Sequence, residues 1–394
     1  MTNKLTTFSG TITVITSMLG VGINFMPSSF GSIGYMSSIL VMVLMSVLTA
    51  FSLFCVSFAA YASEDKNVTY PSIAYEKNKH FGLFVDISIL LNQFCLGIAF
   101  HKYLVQLLIQ FIYQKEQSAL IKCLFLSGTG VFLFYLCLLK DLSSLKFTSY
   151  LSVFCVFYLT VLMFVYTFFF GDLVQEGGFD RTRTNYGHGL GKMILAMCCQ
   201  VNMPKIFSEL ENQSIGSILI ISTLGSVIGG LIYSLVGFFG YKLLGNSIGK
   251  EDLMKIFSTS SSNIHKELEG TYLKYTPHIA VFGAIFVLMG SFPLQVNPAT
   301  LILQKLLNKH DECSRKKLVS VLFGSMLLLN FLDLDLSTIL NVLGAIFSNA
   351  IAFIFPALYY ILAIKRFNVL SLLSGILICA SIVAGGYILM NLNS

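Results

Sequence analysis

The sequence predicts an all-α polytopic membrane protein, a single domain over residues 1–394, and three observations carry that prediction. Charged residues make up 11% of the chain and apolar residues 55%. A soluble domain carries about 25% and 45–50%, so too few charges remain to cover a soluble surface of this size. Apolar runs of roughly 20 residues, the length a membrane-spanning helix needs, recur along the whole chain. These runs are apolar all round, as in Ser38-Ile39-Leu40-Val41-Met42-Val43-Leu44-Met45, which sets aside a β-barrel built from alternating segments of about ten residues. Nine Cys are too sparse for a secreted disulfide scaffold. The net charge of +6 forms no basic stripe interleaved with aromatics, so nucleic acid is not a predicted partner.

About eleven spans follow in order. The first, at about 8–32, begins after a short polar start holding Lys4; it is too long for a signal-peptide core and lacks a cleavage site. The second and third cover about 36–62 and 81–113, and the third carries Asp86 and the pair His101-Lys102. The fourth to seventh fall at about 119–139, 147–170, 188–210 and 215–244. A long loop at about 245–275 precedes the eighth span, at about 276–303. The ninth is the shortest, at about 318–332, and Asp333 and Asp335 after it read as a solvated turn. The tenth and eleventh cover about 337–364 and 369–390. With the N-terminus in the cytosol, the inner loops hold Lys66, Lys77, Lys79, Lys140, Lys305, Lys309, Arg315, Lys365 and Arg366, as the positive-inside rule asks.

Five prolines lie inside apolar spans: Pro27, Pro204, Pro293, Pro298 and Pro356. Each lacks an amide hydrogen and clashes with the carbonyl four residues earlier. In hydrocarbon, broken backbone persists only where protein or a watery cavity satisfies it. Two breaks stand out. Span one reads Thr16-Ser17-Met18-Leu19-Gly20-Val21-Gly22-Ile23-Asn24-Phe25-Met26-Pro27, and span six reads Cys198-Cys199-Gln200-Val201-Asn202-Met203-Pro204. They are five spans apart, the offset expected of inverted repeats at about 8–170 and 188–364 with one extra helix at 369–390. A helix restarting at Val21, Gly22 and Ile23 presents unpaired amides and a positive dipole end to a carboxylate. Gly20 and Gly22 let a ligand approach the backbone, or equally let helices pack closely. The preceding half-helix ends in carbonyls suited to an ammonium or a cation, so a zwitterionic amino acid is the expected ligand, with Cys199 and Gln200 lining its other side.

At these breaks the chain resembles the amino acid/auxin permeases, particularly the sodium-coupled neutral amino acid transporters within the amino acid–polyamine–organocation superfamily. Gly20-Val21-Gly22-Ile23 with Pro27 is similar to the family's first-helix pattern, and Cys199-Gln200 through Pro204-Lys205-Ile206-Phe207-Ser208-Glu209-Leu210 to its sixth. Gly237-Phe238-Phe239-Gly240-Tyr241, Ser291-Phe292-Pro293 with Pro298, Ile354-Phe355-Pro356-Ala357-Leu358-Tyr359-Tyr360 and Leu145-Lys146-Phe147-Thr148-Ser149 resemble its seventh, eighth, tenth and fifth helices. The resemblance implies a five-plus-five inverted-repeat fold with helices one and six broken, and secondary transport of amino acids coupled to Na⁺ or H⁺. The sodium-coupled members have Asn and Thr where this chain has Thr16 and Ser291. Both replacements keep an oxygen, so these two residues are the implied Na⁺ ligands if sodium couples transport. The family's sixth-helix His is Gln200, which cannot titrate, and its eighth-helix Arg is Thr300.

His101 is the candidate proton-responsive group, since its charge changes near neutral pH; the alternative is a histidine bonded to a neighbouring helix. No catalytic constellation such as H-E-x-x-H or paired Asp occurs in the spans, so an enzyme is not expected, and neither is a bound metal or other cofactor. The alternative to a transporter is a transporter-like amino acid sensor signalling through a partner, although the sequence identifies no protein partner. The plasma membrane and a vacuolar or lysosome-like membrane are both compatible with this reading.

Overall fold

The computed structural model describes residues 5–63, 68–113, 118–138, 146–174, 178–249, 252–259, 262–309, 311–332, 335–364 and 367–392. Lys4, Lys66, Lys140, Leu145, Asp333, Lys365 and Arg366 lie outside these ranges. The long elements are all helices, and β pairing among the described residues is confined to one bridge between Leu5 and Leu210.

The first span is broken where the glycines predict it. Helix α1 (Thr7–Met18) ends because Leu19 turns extended, and Gly20 continues extended at φ −149° and ψ −156°. A 3₁₀ turn, Val21–Phe25, leads into α2 (Met26–Ile33), with Pro27 in its first turn, where a missing amide costs no hydrogen bond. The two halves bend by 55°. The next spans are α3 (Tyr35–Tyr61), then, after the short α4 (Tyr70–Lys77), α5 (Lys79–Tyr113), α6 (Ala119–Leu138) and α7 (Lys146–Val174). Span six is broken as well. It consists of α8 (Leu190–Ala196), a 3₁₀ turn at Gln200–Asn202, and α9 (Met203–Ser208) with Pro204 in its first turn.

Helix α10 (Ile215–Leu244) is followed by two short helices in the long loop, α11 (Leu253–Ser258) and α12 (Asn263–Leu268). Then come α13 (Thr276–Leu306) and α14 (Glu312–Asn330). Pro293 and Pro298 lie inside α13 without breaking it. The tenth span runs as α15 (Leu336–Leu343), two π-helical stretches at Gly344–Ser348 and Ala350–Ile354, and α16 (Phe355–Ala363). Pro356 stands in the first turn of α16, and the Ile351 carbonyl, five residues before it, accepts from the Tyr70 hydroxyl at 2.6 Å. Helix α17 (Val369–Met390) closes the bundle.

Among the described residues, eight helices are long and apolar enough to cross a membrane, or nine with the bent halves of span one taken together. The two expected spans beyond these are the α8–α9 pair, whose halves are short, and α14. The latter starts at Glu312 and so takes Arg315, Lys316 and Lys317 into its first turns.

The broken spans are antiparallel and tied at both ends. Leu5 N donates to Glu209 O at 2.8 Å and Glu211 N to Leu5 O at 2.9 Å, joining the start of span one to the end of span six. Arg183 N donates to Ile33 O at 2.7 Å and Tyr35 N to Asp180 O at 3.1 Å, joining the end of span one to the segment entering span six. Gly34 permits that second junction. Its φ is +88°, and a Cβ there would lie 2.6 Å from the Thr182 Cα. Helix α10 is the scaffold under span one. A Cβ on Gly229 would meet Met18 Sδ at 2.3 Å, and one on Gly237 would meet Phe30 Cδ2 at 2.5 Å, so both halves of the span rest directly on its backbone.

Candidate functional site

A helix that stops inside a bilayer leaves its last carbonyls without intrahelical partners. In this chain α1 and α8 stop beside each other, and one side chain serves both. The Tyr233 hydroxyl lies 2.5 Å from Met18 O and 3.2 Å from Ala196 O, so its single proton is shared between the ends of two half-helices. Tyr233 is fully buried and sits between Gly229 and Gly237, at i±4 on one face of α10. The glycines admit the backbone of span one, and the ring between them fills the notch at its break. Gly22 brings the second span in: its Cβ would meet Ala196 Cβ at 3.0 Å.

A cavity of about 160 Å³ opens at this junction, lined by Ser17, Gly20 and Gly22 of span one, Asn92 and Tyr103 of α5, Lys192, Ala196 and Cys198 of span six, Tyr233, and Gln295 of α13. A second, more apolar cavity of about 230 Å³ lies across the break, lined by Gly20, Ile23 and Asn24 and by α7 and α13 residues out to the lipid-facing Phe154 and Phe282. Gly20 belongs to both walls, and no atom lies within 4 Å of the place its Cβ would occupy.

The cavity holds a cation that the sequence reasoning passed over. Lys192 on α8 is 2% exposed; its Nζ donates to Ser28 Oγ at 3.2 Å and lies 5.8 Å from the Phe25 ring centroid. The signal was legible: an ionisable residue inside a span, where such groups mark function. Tyr233 was legible too, as an aromatic flanked by glycines at helical spacing.

Of the residues expected to bind substrate, Gly20 and Gly22 lie on the wall of this cavity, and Cys198 lies there where Cys199 was expected. Gln200 is wholly buried and turned away; its Nε2 donates to Ser52 Oγ at 2.9 Å and its Oε1 accepts from Cys199 N at 2.9 Å. It therefore caps the broken backbone. The Ile23 amide, expected to be open, is bonded to Gly20 O at 3.2 Å. Val21 belongs to the 3₁₀ turn. Thr16 Oγ1 donates back to Thr13 O at 3.0 Å, Ser291 is half-buried on α13, and no hydrogen bond among the described residues joins the two. No group of three or more His, Cys, Asp or Glu gathers as a metal site among the described residues.

His101 stands apart from the cavity, between Phe292 and Phe323. Its Nε2 lies 3.0 Å from Thr129 Oγ1, whose own proton goes to Phe125 O at 2.7 Å, so Nε2 carries a hydrogen and donates. Its Nδ1 then accepts from Asn330 Nδ2 at 3.4 Å. Both nitrogens are matched by the neutral ring. Lys102 reaches the Leu332 carbonyl at the end of α14, 3.1 Å away.

A polar side-chain contact with a buried carboxylate lies towards each face of the bundle. Near the tips of α5 and α13 on the face that carries the N-terminus, Lys305 Nζ and Tyr75 Oη both lie 2.7 Å from Asp86 Oδ2. Burial and the Asp86 carboxylate push the Tyr75 phenol up to about 12. On the opposite face Tyr103 Oη donates to Asp252 Oδ1 at 2.6 Å. Asp252 also caps α11, accepting from Lys255 N at 3.0 Å, so this loop helix is held over the cavity wall.

Residues 3–391 match a family model described as "Transmembrane amino acid transporter protein". Among curated proteins, the chain is similar to "Vacuolar amino acid transporter 6" of Saccharomyces cerevisiae, 23% identical over 77% of this chain and 67% of the relative. It is also similar to "Vacuolar amino acid transporter 5" of Schizosaccharomyces pombe, 26% identical over 91% of this chain and 85% of the relative. A "Putative sodium-coupled neutral amino acid transporter 8" of Xenopus tropicalis is 22% identical over 92% of this chain and 86% of the relative.

Proposed function

The chain belongs to the transmembrane amino acid transporter family, and from that premise we propose that it carries neutral amino acids across a membrane by alternating access around the cavity between its two broken spans. The observation that carries the proposal is the meeting of both breaks at one side chain, Tyr233, beside a cavity walled by six different spans. Two rigid half-helices that end at a shared hinge can tilt while the other halves stay in place, which opens the cavity to one face and then the other. The reciprocal ties between spans one and six support a five-plus-five inverted arrangement, with repeats at about 8–170 and 188–364. The Asp86–Lys305 and Tyr103–Asp252 pairs stand where an inner and an outer gate belong.

Coupling to Na⁺ or H⁺ follows from the family resemblance. If sodium drives transport, Thr16 and Ser291 supply its side-chain oxygens in the conformation that brings α1 to α13; for protons the sequence offers His101, whose neutral-ring contacts with Thr129 and Asn330 weigh against that role. A vacuolar or lysosome-like membrane is supported by the names of the fungal relatives, and the plasma membrane is the other candidate. The excess of Lys and Arg on the short loops supports a cytosolic N-terminus.

The test is uptake of radiolabelled alanine, leucine and glutamine into proteoliposomes under an imposed Na⁺ gradient and, separately, an imposed pH gradient. Accumulation under one gradient identifies the coupling ion. Saturable binding without net uptake under either gradient would sink the transport reading and leave a sensor.

A further inference from the structure

We infer that Lys192 receives the carboxylate of the transported amino acid, while the α-ammonium faces the break carbonyls of Met18 and Ala196. The inference rests on the transport reading above and deepens it by fixing which way the zwitterion lies.

Lys192 is a cation held at 2% exposure on the wall of the central cavity. Placing a charge at that depth is expensive, and intramembrane ionisable groups are kept where a pathway uses them. The ammonium is aimed by its neighbours. Ser28 Oγ donates its own proton to Phe25 O at 3.0 Å, so it presents a lone pair to Lys192 Nζ at 3.2 Å, and the Phe25 ring lies 5.8 Å from the same nitrogen. These contacts hold the charge between α8 and α2, where an arriving anion would draw the two broken spans together.

The geometry of α8 sets the opposite pole. Lys192 and Ala196 are four residues apart and share one face of α8, with their Cα atoms about 6 Å apart along the axis and the lysine side chain leaning towards the N-terminal end, away from the Ala196 carbonyl. The Ala196 carbonyl is gathered with that of Met18 at Tyr233. The cavity therefore has a cation on one part of its wall and the carbonyl ends of two half-helices on another, which is the charge order of an α-amino acid. The restarted helix of span one supplies less to the carboxylate than its sequence suggests, because the Ile23 amide already serves Gly20 O. A charge-assisted contact from Lys192 replaces what that amide does not give. The ligand class that follows is zwitterions with a free carboxylate; the corresponding amides, esters and decarboxylated amines fit the carbonyl wall but not the cation.

The experiment is competition against bound radiolabelled leucine on the purified full-length chain, using leucine, leucinamide, leucine methyl ester and isoamylamine, with alanine as a second labelled probe. The wild type is expected to prefer the acid over each carboxylate-free analogue by about 10-fold or more, and Lys192→Met to lose about 10- to 100-fold in affinity for the acid, the scale of a hydrogen bond to a charged group. The analogues should bind Lys192→Met about as well as they bind wild type, so the preference collapses, and Lys192→Arg should recover part of it. A Lys192→Met protein that keeps the wild-type preference overturns the inference, even if all its affinities fall together, since that is the pattern of a lysine that only braces Ser28. Should Lys192→Met fail to fold, the wild-type preference is still readable, and its absence overturns the assignment. Failure of wild type to bind or carry any amino acid refutes the transport reading itself, a result distinct from binding without preference.

Discussion

Replacing Tyr233 by Phe removes one oxygen from the junction of the two broken spans and leaves the ring between Gly229 and Gly237. The hydroxyl is fully buried and serves Met18 O at 2.5 Å and Ala196 O at 3.2 Å. Both carbonyls end half-helices, so neither has an intrahelical amide to fall back on. Leaving a buried acceptor unsatisfied costs about 1–3 kcal/mol. The longer bond to Ala196 is the weaker of the two, so the sum stays within that range. At about 1.4 kcal/mol per tenfold, the ordered junction loses a factor of roughly 5 to 150 against arrangements in which the two ends separate. Because the cavity wall is that junction, the loss should appear as weaker substrate binding, with little change in helix content. The assay is equilibrium binding of labelled leucine to detergent-purified Tyr233→Phe, with circular dichroism and thermal melting in parallel. Tyr233→Ala is the contrast: it also empties the notch, and loss of a buried aromatic costs about 3–5 kcal/mol, so it should lower the melting temperature as well. Binding by Tyr233→Phe within twofold of wild type would refute the idea that this hydroxyl holds the two breaks together.

Three further outcomes separate roles that look alike in the sequence. Gly20→Ala should fold normally and narrow the range of side chains accepted, because its methyl enters open cavity space, whereas Gly22→Val should abolish uptake, because even its Cβ would press on Ala196 Cβ at 3.0 Å and its backbone at 3.3 Å; uptake and size-exclusion profiles of both variants check this, and equal behaviour would contradict it. Lys305→Met leaves the buried Asp86 with Tyr75 alone and should destabilise the protein, while Lys305→Met with Asp86→Asn should recover part of the loss, since the isolated charge is gone; melting temperatures that match between single and double variants would show that the pair is not coupled. The same latch has a pH sign. The folded Tyr75 phenol is raised to about 12 from an ordinary value near 10, so its contribution is fully present below pH about 10 and is lost as pH rises towards 12. His101→Gln should leave the pH dependence of uptake unchanged while lowering thermal stability, because the neutral ring already satisfies both nitrogens between Thr129 and Asn330; a flattened pH profile would restore it as a proton group.

The fold and the line of the breaks were legible because they depend on local chemistry. Gly20 and Pro27, and Pro204 after Cys199-Gln200, mark where hydrogen-bond ladders must stop, and the helices stop there. What the sequence did not order is the set of side chains that turn towards the breaks. Gln200 is the clearest case: a polar residue at mid-depth suggested a ligand contact, yet its amide is consumed by Ser52 and by the Cys199 backbone. An opened ladder needs side-chain partners of its own, so polarity next to a break is divided between mending backbone and meeting substrate. Sequence position alone cannot divide it, since the choice is made by α3, which is remote in the chain.

The same logic separates Thr16 from Ser17. Both hydroxyls return to the Thr13 carbonyl, at 3.0 and 2.7 Å, yet only Ser17 reaches the cavity wall. Neighbouring residues on a helix differ in direction by about 100°, so a one-residue shift decides which oxygen faces the path. Lys192 escapes this ambiguity for a reason of its own. It is an ionisable group at 2% exposure on the cavity wall, and ionisable groups at that depth mark substrate or ion pathways. Its contacts on Ser28 and Phe25 place it between span six and the second half of span one. If Lys192 receives the carboxylate as inferred above, a charge in that position would link occupancy to closure: a bound carboxylate would lower the cost of holding α8 and α2 together, and its departure would raise that cost again.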